Sequence, residues 1–380
     1  MKRMFLRNLC SLFTCFLILS STSGQETEPV ASATQTLAPK YSNEFLKIGI
    51  GARAFGMGNA QIAVAEDVTA GYWNPAGLAS GDALLYPEVS LMHASYFANI
   101  ATYNYGGFTL PVDSAGNRRF GVTLIRLGID DIPNTLKLIE PDGSINYDKV
   151  QSFSNTDFAA LFSYAWSPSG IKGLSLGTNV KIIYRGVGRF ANAWGFGLDL
   201  AARYQKGNFR AGLMITDVTN TFNAWTFNTE TFEDDFIKTG NVVPLNSLEL
   251  TRPSVRLGLG YDLKLARKLS LLVAVDNDVY FDGNRSSAIF STNGISIDPR
   301  AGLEFAYLNS QYRKVAFLRG GFYNLQNIKD QNGEEATGLF PTAGIGVVLK
   351  NFQIDYALAN IGNLSENLHT HIVSLKFHIQ

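Results

Sequence analysis

Apolar and polar residues alternate along the chain from residue 86 onward, and this pattern constrains the fold more than any other. In the run 194–205, for example, every second residue is apolar, and glycine, alanine or a polar residue stands between. Successive side chains of a β-strand point to opposite faces, so each run has one apolar and one polar face. The chain contains about fourteen such runs. They are 86–97, 99–111, 118–128, 153–167, 172–185, 191–205, 207–218, 251–264, 268–281, 295–309, 313–326, 339–350, 351–361 and 367–380.

The connections between these runs alternate in length. Almost every second connection is a short turn, as at 113–118 and 265–268. The others include long polar loops, which are 129–151, 219–250, 282–294 and 327–336. Outer-membrane barrels have an even number of strands, short periplasmic turns and longer external loops. The sequence therefore predicts an all-β fold, an antiparallel transmembrane β-barrel of about fourteen strands over residues 86–380, in contact with the lipid of a bacterial outer membrane.

A secreted β-sandwich is the alternative, because half-buried strands also alternate. Three features favour the barrel. The runs are long enough for tilted strands to cross a bilayer, and their polar faces mix full charges with glycine. Aromatic residues such as Trp194, Tyr261 and Tyr307 stand near the strand ends. Closure into a barrel leaves no strand edge unpaired in lipid.

The first 43 residues do not belong to the predicted barrel. Residues 1–24 read as a signal peptide, with an apolar stretch at 9–19 that is too short for a spanning helix. An uncleaved anchor is the alternative. Residues 25–43 lack periodicity and are rich in Thr, Ser, Ala and Pro, which predicts a disordered leader. Cys10 and Cys15 both precede the predicted cleavage site, so the mature chain is expected to contain no disulfide or thiolate metal site.

Residues 44–85 are rich in glycine and do not alternate, and we predict that they form a hatch inside the barrel. The glycine spacing fits neither a dinucleotide-binding fingerprint nor a phosphate-binding loop. Glycine allows close approach of backbones and positive φ, which a segment folded inside a narrow lumen requires. The residues expected to fasten and end the hatch, and thus to control the gate, are Arg53, Asp67, Trp73, Asn74 and Pro75.

The polar faces of several runs carry charges that we expect to line the lumen and pair across neighbouring strands. They are Arg256, Lys264, Asp276, Asp278, Asp298, Arg300 and Glu304. No constellation of a nucleophile with a base is evident, so an enzyme is not predicted, and neither is a cofactor. His369 and His371 share a strand face but lack a third ligand, so no metal site is predicted. A formal net charge of zero gives no basic field for nucleic acid.

The hatch resembles the N-terminal signature of the PorV/PorQ family, which is in turn similar to the FadL outer-membrane transporters. The matching segments are FLKI at 45–48, GARA at 51–54, GMG at 56–58, AVAED at 63–67 and YWNPAGL at 72–78. The resemblance implies a fourteen-stranded barrel whose lumenal hatch ends in an Asn-Pro-Ala motif, here 74–76. It also implies a role in type IX secretion, with secreted proteins or secretion-system subunits as partners.

The first function hypothesis is therefore a docking protein for type IX secretion and surface attachment. Its candidate docking loops are 129–151 and 219–250. The partner-binding residues are expected in 219–250, which contains five large aromatic residues that are suited to protein contact. They are Phe222, Trp225, Phe227, Phe232 and Phe236. Packing of these side chains onto the barrel rim is an equally good interpretation.

The alternative is a FadL-like transporter of hydrophobic small molecules. It predicts an apolar pocket above the hatch and an interruption of the wall for lateral exit. Pro299 and Gly320-Gly321 are the candidate interruptions, although both are also ordinary strand punctuation. A structural barrel without a ligand is a third possibility.

Overall fold

The computed structural model describes residues 42–79, 86–96, 99–114, 116–140, 142–283, 285, 288–292, 294–329, 335–359 and 369–379. The predicted signal peptide, nearly all of the predicted leader, and residues 80–85 of the predicted hatch lie outside these residues. None of the helices in the described part of the chain is long and apolar enough to span a membrane.

One sheet contains all the strand segments of the described residues, and neighbouring segments are antiparallel. The segments are β1 Glu88–Tyr96, β2 Ala101–Pro111, β3 Arg118–Asn134, β4 Gln151–Trp166, β5 Leu174–Val187, β6 Ala191–Lys206, β7 Phe209–Thr216, β8 Thr221–Phe227, β9 Ser247–Thr251, β10 Ser254–Ala266, β11 Leu269–Tyr280, β12 Phe290–Thr292, β13 Ile295–Leu308, β14 Lys314–Lys329, β15 Glu335–Leu349, β16 Phe352–Ala359 and β17 Thr370–His378. Since β1 pairs with both β2 and β17, the sheet closes on itself.

The segments form a wall of fourteen strands, because two of the strands are each divided into two segments. β7 and β8 pair with opposite halves of β6 and together form one strand, and β9 and β10 form its neighbour. The break between β7 and β8 contains Asp217 and Asn220. Both have φ of 57°, a conformation that these residue types tolerate. β12 is a short additional arm on β13. The structure confirms the predicted fourteen-stranded barrel.

The strands follow the predicted runs closely, with one substantial difference. The bounds predicted for the loop 219–250 are wrong at both ends, because Thr221–Phe227 and Ser247–Thr251 are strands of the wall. Each piece is too short to give a clear period of two, and the polar residues between them hid the pattern. The true connection is 228–246. In addition, β3 extends to Asn134, into the predicted loop 129–151.

The two faces of the wall differ in chemistry. On β10, Leu257 and Leu259 point outward and are exposed, whereas Arg256 and Gly258 point inward and are buried. The same arrangement recurs around the barrel, and such a continuous apolar outer surface belongs in lipid. The protein is therefore a β-barrel of the bacterial outer membrane.

Buried ion pairs cross the lumenal face, as the alternation predicts. Asp278 accepts from Arg256 at 3.1 Å and pairs with Arg300 at 2.8 Å. Glu304 pairs with Arg319 at 2.7 Å. Lys264 departs from the prediction, since it is exposed at the short-turn end of β10. Paired charges of this kind hold neighbouring strands in register and leave few free charges in the lumen.

Residues 42–79 fold within the barrel as short helical turns. They form 3₁₀ helices at Glu44–Lys47 and Pro75–Ala79, and α-helices α1 Ala52–Gly56 and α2 Ala70–Trp73. α1 begins after Gly51, whose φ of 86° favours glycine. Most side chains of this segment are buried, and Phe55, Trp73 and Leu78 share a core cluster with inward residues of the wall. We call 42–79 the hatch.

Candidate functional site

Arg53 joins the hatch to the wall by a bidentate ion pair. Its Nε and Nη2 donate to the two carboxylate oxygens of Glu304 on β13, at 2.8 and 3.1 Å. Glu304 also accepts from Arg319 on β14, so one carboxylate links the hatch to two strands. Burial alone would lower the pKa of Arg53, but Glu304 outweighs burial and raises it. Arg53 therefore stays charged and fixed.

Asp67 joins the hatch to the last strand. Its Oδ2 accepts from Lys376 on β17 at 2.7 Å, and its Oδ1 accepts from the backbone N–H of Thr69 at 3.0 Å. Burial disfavours the charged carboxylate, but the charges of Lys376 and Arg53 prevail and hold the pKa of Asp67 well below its ordinary value. This anchor is therefore ionised at neutral pH.

Asn74 is fully buried and ties the hatch to itself and to the wall. Its Nδ2 donates to the carbonyl oxygens of Ile62 at 2.8 Å and Ala202 at 3.2 Å, and its Oδ1 accepts from the Ala76 N–H at 3.1 Å. An asparagine side chain supplies both donors and an acceptor, which aspartate or leucine at this position would not.

The two residues that flank Asn74 are buried as well. The Trp73 indole N–H donates to the Ile50 carbonyl at 3.0 Å, and the Arg256 guanidinium lies 5.3 Å from the Trp73 ring centroid. Pro75 packs against Gly177 of β5, where a Cβ would lie 2.5 Å from the proline carbonyl carbon. Glycine on the wall therefore makes room for the end of the hatch.

Several hatch anchors were not predicted, because they join wall side chains to backbone N–H groups. Asp276 of β11 accepts from the N–H groups of Gln61 and Ile62, at 2.6 and 2.8 Å. Glu88 accepts from Val68 at 2.9 Å, and Ser374 accepts from Ala52 at 2.7 Å. Backbone partners leave no mark in the sequence, although the lumenal position of Asp276 was predicted. The hatch is thus fastened to the wall on several sides.

A cavity of about 340 Å³ lies between the hatch and the long-loop end of the barrel. Three tyrosines and several charged groups line it, so it is not the purely apolar pocket that the transport hypothesis predicted. Its lining residues are Glu44, Lys47, Ile48, Asn59, Tyr96, Tyr280, Arg285, Ala288, Asp298, Arg300, Tyr323 and Asn324. Burial and the neighbouring Arg285 lower the pKa of Lys47, against the opposing effect of Glu44.

The wall is interrupted beside this cavity. The pairing of β13 with β14 ends at Ala301 and Phe322, and residues 295–297 of β13 pair with β12 instead. Pro299 lies between these two paired parts of β13 and has no N–H to donate. Across from it, Asn324 has φ of 54° in an irregular part of β14. Among the described residues, no ladder joins the two strands above Ala301.

The sequence suggested Gly321 as an interruption of the wall, but in the structure this residue makes room for the hatch. A Cβ at Gly321 would lie 2.5 Å from the Gly58 backbone nitrogen, so this glycine admits the hatch. A Cβ at Gly302 would overlap the Met57 carbonyl oxygen. At Gly320 the nearest atom to a Cβ would be the Thr342 carbonyl oxygen at 3.9 Å, an ordinary van der Waals contact, so this glycine does not make room for the hatch. Pro299 is the candidate that lies at the interruption.

The five aromatic residues predicted for partner binding do not form one surface. Phe222 lies on the lipid-facing side of β8, and its ring centroid is 6.0 Å from that of Phe196. Trp225 points the other way and donates its indole N–H to Glu249 at 2.6 Å. Phe227 stacks against Trp225, with ring centroids 6.2 Å apart.

Phe232 and Phe236 do lie in the connection 228–246. Phe232 is only 4% exposed and packs between Phe190 and Phe236. The exposed apolar side chains of this connection are instead Ile237, Val242 and Leu245. The short helix α3, Glu233–Lys238, presents the first of these. The candidate docking surface thus differs from the predicted one.

No protein-family model matches the chain, and no curated protein matches its sequence. Solved structures share its fold. The toluene transporter TbuX of Ralstonia pickettii is 16% identical with a TM-score of 0.50, over 87% of this chain and 99% of the transporter. The toluene transporter TodX of Pseudomonas putida is 14% identical with a TM-score of 0.51, over 87% and 98%. The monoaromatic hydrocarbon channel CymD is 12% identical with a TM-score of 0.53, over 88% and 98%. At these identities the likeness concerns the fold, which is that of FadL-like outer-membrane transporters.

Proposed function

We propose that the protein is an outer-membrane channel for small hydrophobic compounds, in which the hatch seals the lumen and the compound leaves sideways through the wall. One observation carries this proposal: the cavity above the hatch lies directly beside the interruption between β13 and β14. The cavity and the interruption are lined by the same residues, which are Asp298 and Arg300 on one side and Tyr323 and Asn324 on the other.

The route follows from where apolar molecules are stable. A compound that enters the cavity from the loop end meets a lumen that is filled by the hatch and crossed by ion pairs. The hydrocarbon layer outside the wall is the favourable destination for an apolar molecule. The interruption offers that destination without displacement of the buried anchors Arg53, Asp67 and Asn74. The likeness to a toluene transporter and a monoaromatic hydrocarbon channel supports a small aromatic substrate.

A reversible cross-link tests the route. Asp298→Cys and Asn324→Cys place thiols on the two sides of the interruption, and a flexible, reducible bifunctional reagent joins them. We expect uptake of labelled toluene into cells to fall to background after linking and to return on reduction.

The matched control is Ala301→Cys with Phe322→Cys, which face each other where the wall is already paired. Linking this pair should leave uptake unchanged. Uptake that persists through the linked 298–324 pair would refute the lateral route.

The docking role in type IX secretion is the second candidate. It rests on the sequence resemblance of the hatch and on the exposed side chains Ile237, Val242 and Leu245, which are 63%, 89% and 82% exposed. Replacement of these three residues by serine leaves the wall intact, whereas deletion of 222–236 would remove β8. Loss of client-protein attachment at the cell surface in the serine variant would support this role, and normal attachment would count against it.

A further inference from the structure

We infer that three short turns at the periplasmic end of the barrel bind the headgroups of anionic phospholipids in the inner leaflet of the outer membrane. This site is separate from the cavity and from the wall interruption, so it does not depend on the proposed channel function. Three observations carry it: exposed cations that the fold brings together, acids beside them that already have partners, and an aromatic belt directly above them.

The three turns are neighbours in the closed sheet, although they are far apart in the sequence. They connect β6 to β7, β10 to β11 and β13 to β14, and β7 pairs with β10 while β11 pairs with β13. The Asp262 N–H on β10 donates to the Asn208 carbonyl at 3.0 Å, which joins the first turn to the second hairpin. Arg267 Nε donates to the Tyr312 hydroxyl at 3.0 Å, which joins the second turn to the third. The turns therefore form one surface.

This surface carries six exposed cations, which we call the basic patch. They are Lys206, Lys264, Arg267, Lys268, Arg313 and Lys314. The stretches 206–209, 263–269 and 308–314 that supply them contain no acidic residue. Protein surfaces ordinarily intersperse both signs of charge, and a patch of one sign creates a field that attracts the opposite charge.

The acids beside the basic patch already have partners. Asp262 pairs with the buried Arg210 at 2.7 Å, and Glu66 of the hatch pairs with the buried Arg203 at 3.1 Å. Lys314 lies 3.9 Å from Asp262. Within the described part of the chain, the other five cations of the patch form no ion pair. The patch thus keeps an excess of positive charge that an anion from outside the chain can neutralise.

The lipid-facing side of the wall directly above the basic patch is aromatic. Phe209 and Tyr261 lie opposite each other there, and Tyr307 lies opposite Leu269. These three rings are between 41% and 49% exposed. Aromatic side chains in such a position mark the boundary between the hydrocarbon and the headgroups. Lys206 lies opposite Phe209, so the cations begin where the aromatic belt ends.

A phospholipid presents its chemistry in the same order as this wall. Its acyl chains match exposed outward side chains such as Leu259 and Leu263, and its headgroup reaches the level of the turns. Clusters of lysine and arginine at the membrane boundary attract anionic lipids. A soluble acidic protein would meet the cations but would not need the apolar belt beside them. The combination therefore favours a lipid over an acidic protein.

Native mass spectrometry of the full chain in a non-ionic detergent tests the inference. The probes are phosphatidylglycerol, which is anionic, and phosphatidylcholine with the same acyl chains, which is zwitterionic. Each lysine or arginine near a lipid surface contributes about fivefold to the affinity for an anionic lipid. We expect phosphatidylglycerol to bind at least about tenfold more tightly than phosphatidylcholine, since several cations of the patch can face one headgroup.

A double variant locates the site. Lys268→Gln with Arg313→Gln removes two charges whose side chains form no hydrogen bond or ion pair with a described residue, so the turns keep their contacts. The preference for phosphatidylglycerol should fall at least about fivefold. The matched control is Arg118→Gln with Lys172→Gln. It also removes one exposed arginine and one exposed lysine, from the β2–β3 and β4–β5 connections at the same end of the barrel. That control should keep the wild-type preference.

Four results would overturn the inference. Equal binding of the two lipids to the wild type would show that the patch does not select anionic headgroups. An equal loss in the control variant would assign the preference to the total charge of this end and not to the patch. Inorganic phosphate that displaces phosphatidylglycerol at equal concentration would show a simple anion site. Polyglutamate that binds through Lys268 and Arg313, with no preference between the lipids, would assign the patch to an acidic protein.

Discussion

At the scale of single residues, the Arg53–Glu304 pair is the contact whose loss should loosen the hatch most directly. Arg53→Ala leaves Glu304 with Arg319 and removes both hydrogen bonds that tie α1 to β13. We expect the free energy of local hatch opening to fall by about 1–3 kcal/mol. Hydrogen exchange of the amides of α1 measures this quantity. The exposed Arg189 supplies the control, since Arg189→Ala should leave the protection of α1 unchanged.

The Asp67–Lys376 pair makes a prediction about pH. The pKa of Asp67 is below its ordinary value in the folded protein. Its contribution to stability is therefore complete above the unfolded pKa of about 4 and is lost as the pH falls through the lower, folded pKa. The hatch should stay anchored from neutral pH down to about pH 4. Asp67→Asn should speed hatch exchange at pH 7, and this difference from the wild type should shrink in strong acid. A difference in hatch exchange that is constant at every pH would contradict the role of ionised Asp67 as an anchor.

At the scale of elements, the hatch is packed against glycines of the wall, and this packing can be tested with one methyl group. A Cβ at Gly302 of β13 would overlap the Met57 carbonyl oxygen, so Gly302→Ala must push the hatch aside. We expect a lower Tm and a measurable ion conductance in planar bilayers. Gly320→Ala on β14 is the matched control, because its Cβ would meet nothing nearer than 3.9 Å. Equal Tm and equal conductance of the two variants would show that the packing of the hatch does not depend on a glycine at position 302.

The elements also show what a sequence can and cannot predict here. The period of two located nearly every strand, because lipid on one side and a polar lumen on the other impose strict alternation. It failed at β8 and β9, whose few residues give no statistically clear period. The alternation also predicted that Asp278 and Glu304 lie on the lumenal face. The cavity was not, because Asn59, Tyr96, Tyr280 and Asp298 come from elements that only the closed barrel brings together.

The same limit applies to the hatch anchors. Arg53 and Asp67 were recognisable because charges in an apolar, glycine-rich segment need partners. Their partners Glu304 and Lys376 lie 251 and 309 residues away along the chain, so the pairs themselves could not be assigned. Asp276 was read as one of a set of lumenal charges, and its bonds to the backbone of Gln61 and Ile62 depend on the path of the hatch.

At the scale of the whole molecule, the barrel separates two tasks. In the proposed channel, the hatch closes the lumen, and the interruption between β13 and β14 is the exit through the wall. A sealed lumen preserves the barrier to polar solutes, while a side exit serves compounds that dissolve in the membrane. This division predicts that hatch movement is not needed for the passage of hydrophobic compounds.

Tethering of the hatch tests that division. Asp67→Cys with Lys376→Cys replaces the ion pair between the hatch and β17, and a short reducible cross-link then holds the hatch in place. We expect uptake of toluene to be the same before and after linking, because the cavity and the wall interruption lie on the other side of the hatch from this anchor. The unlinked double variant, which lacks the ion pair, should conduct ions more readily than the linked form. Uptake that falls on linking and returns on reduction would place the route through the lumen instead, with the hatch as the moving part.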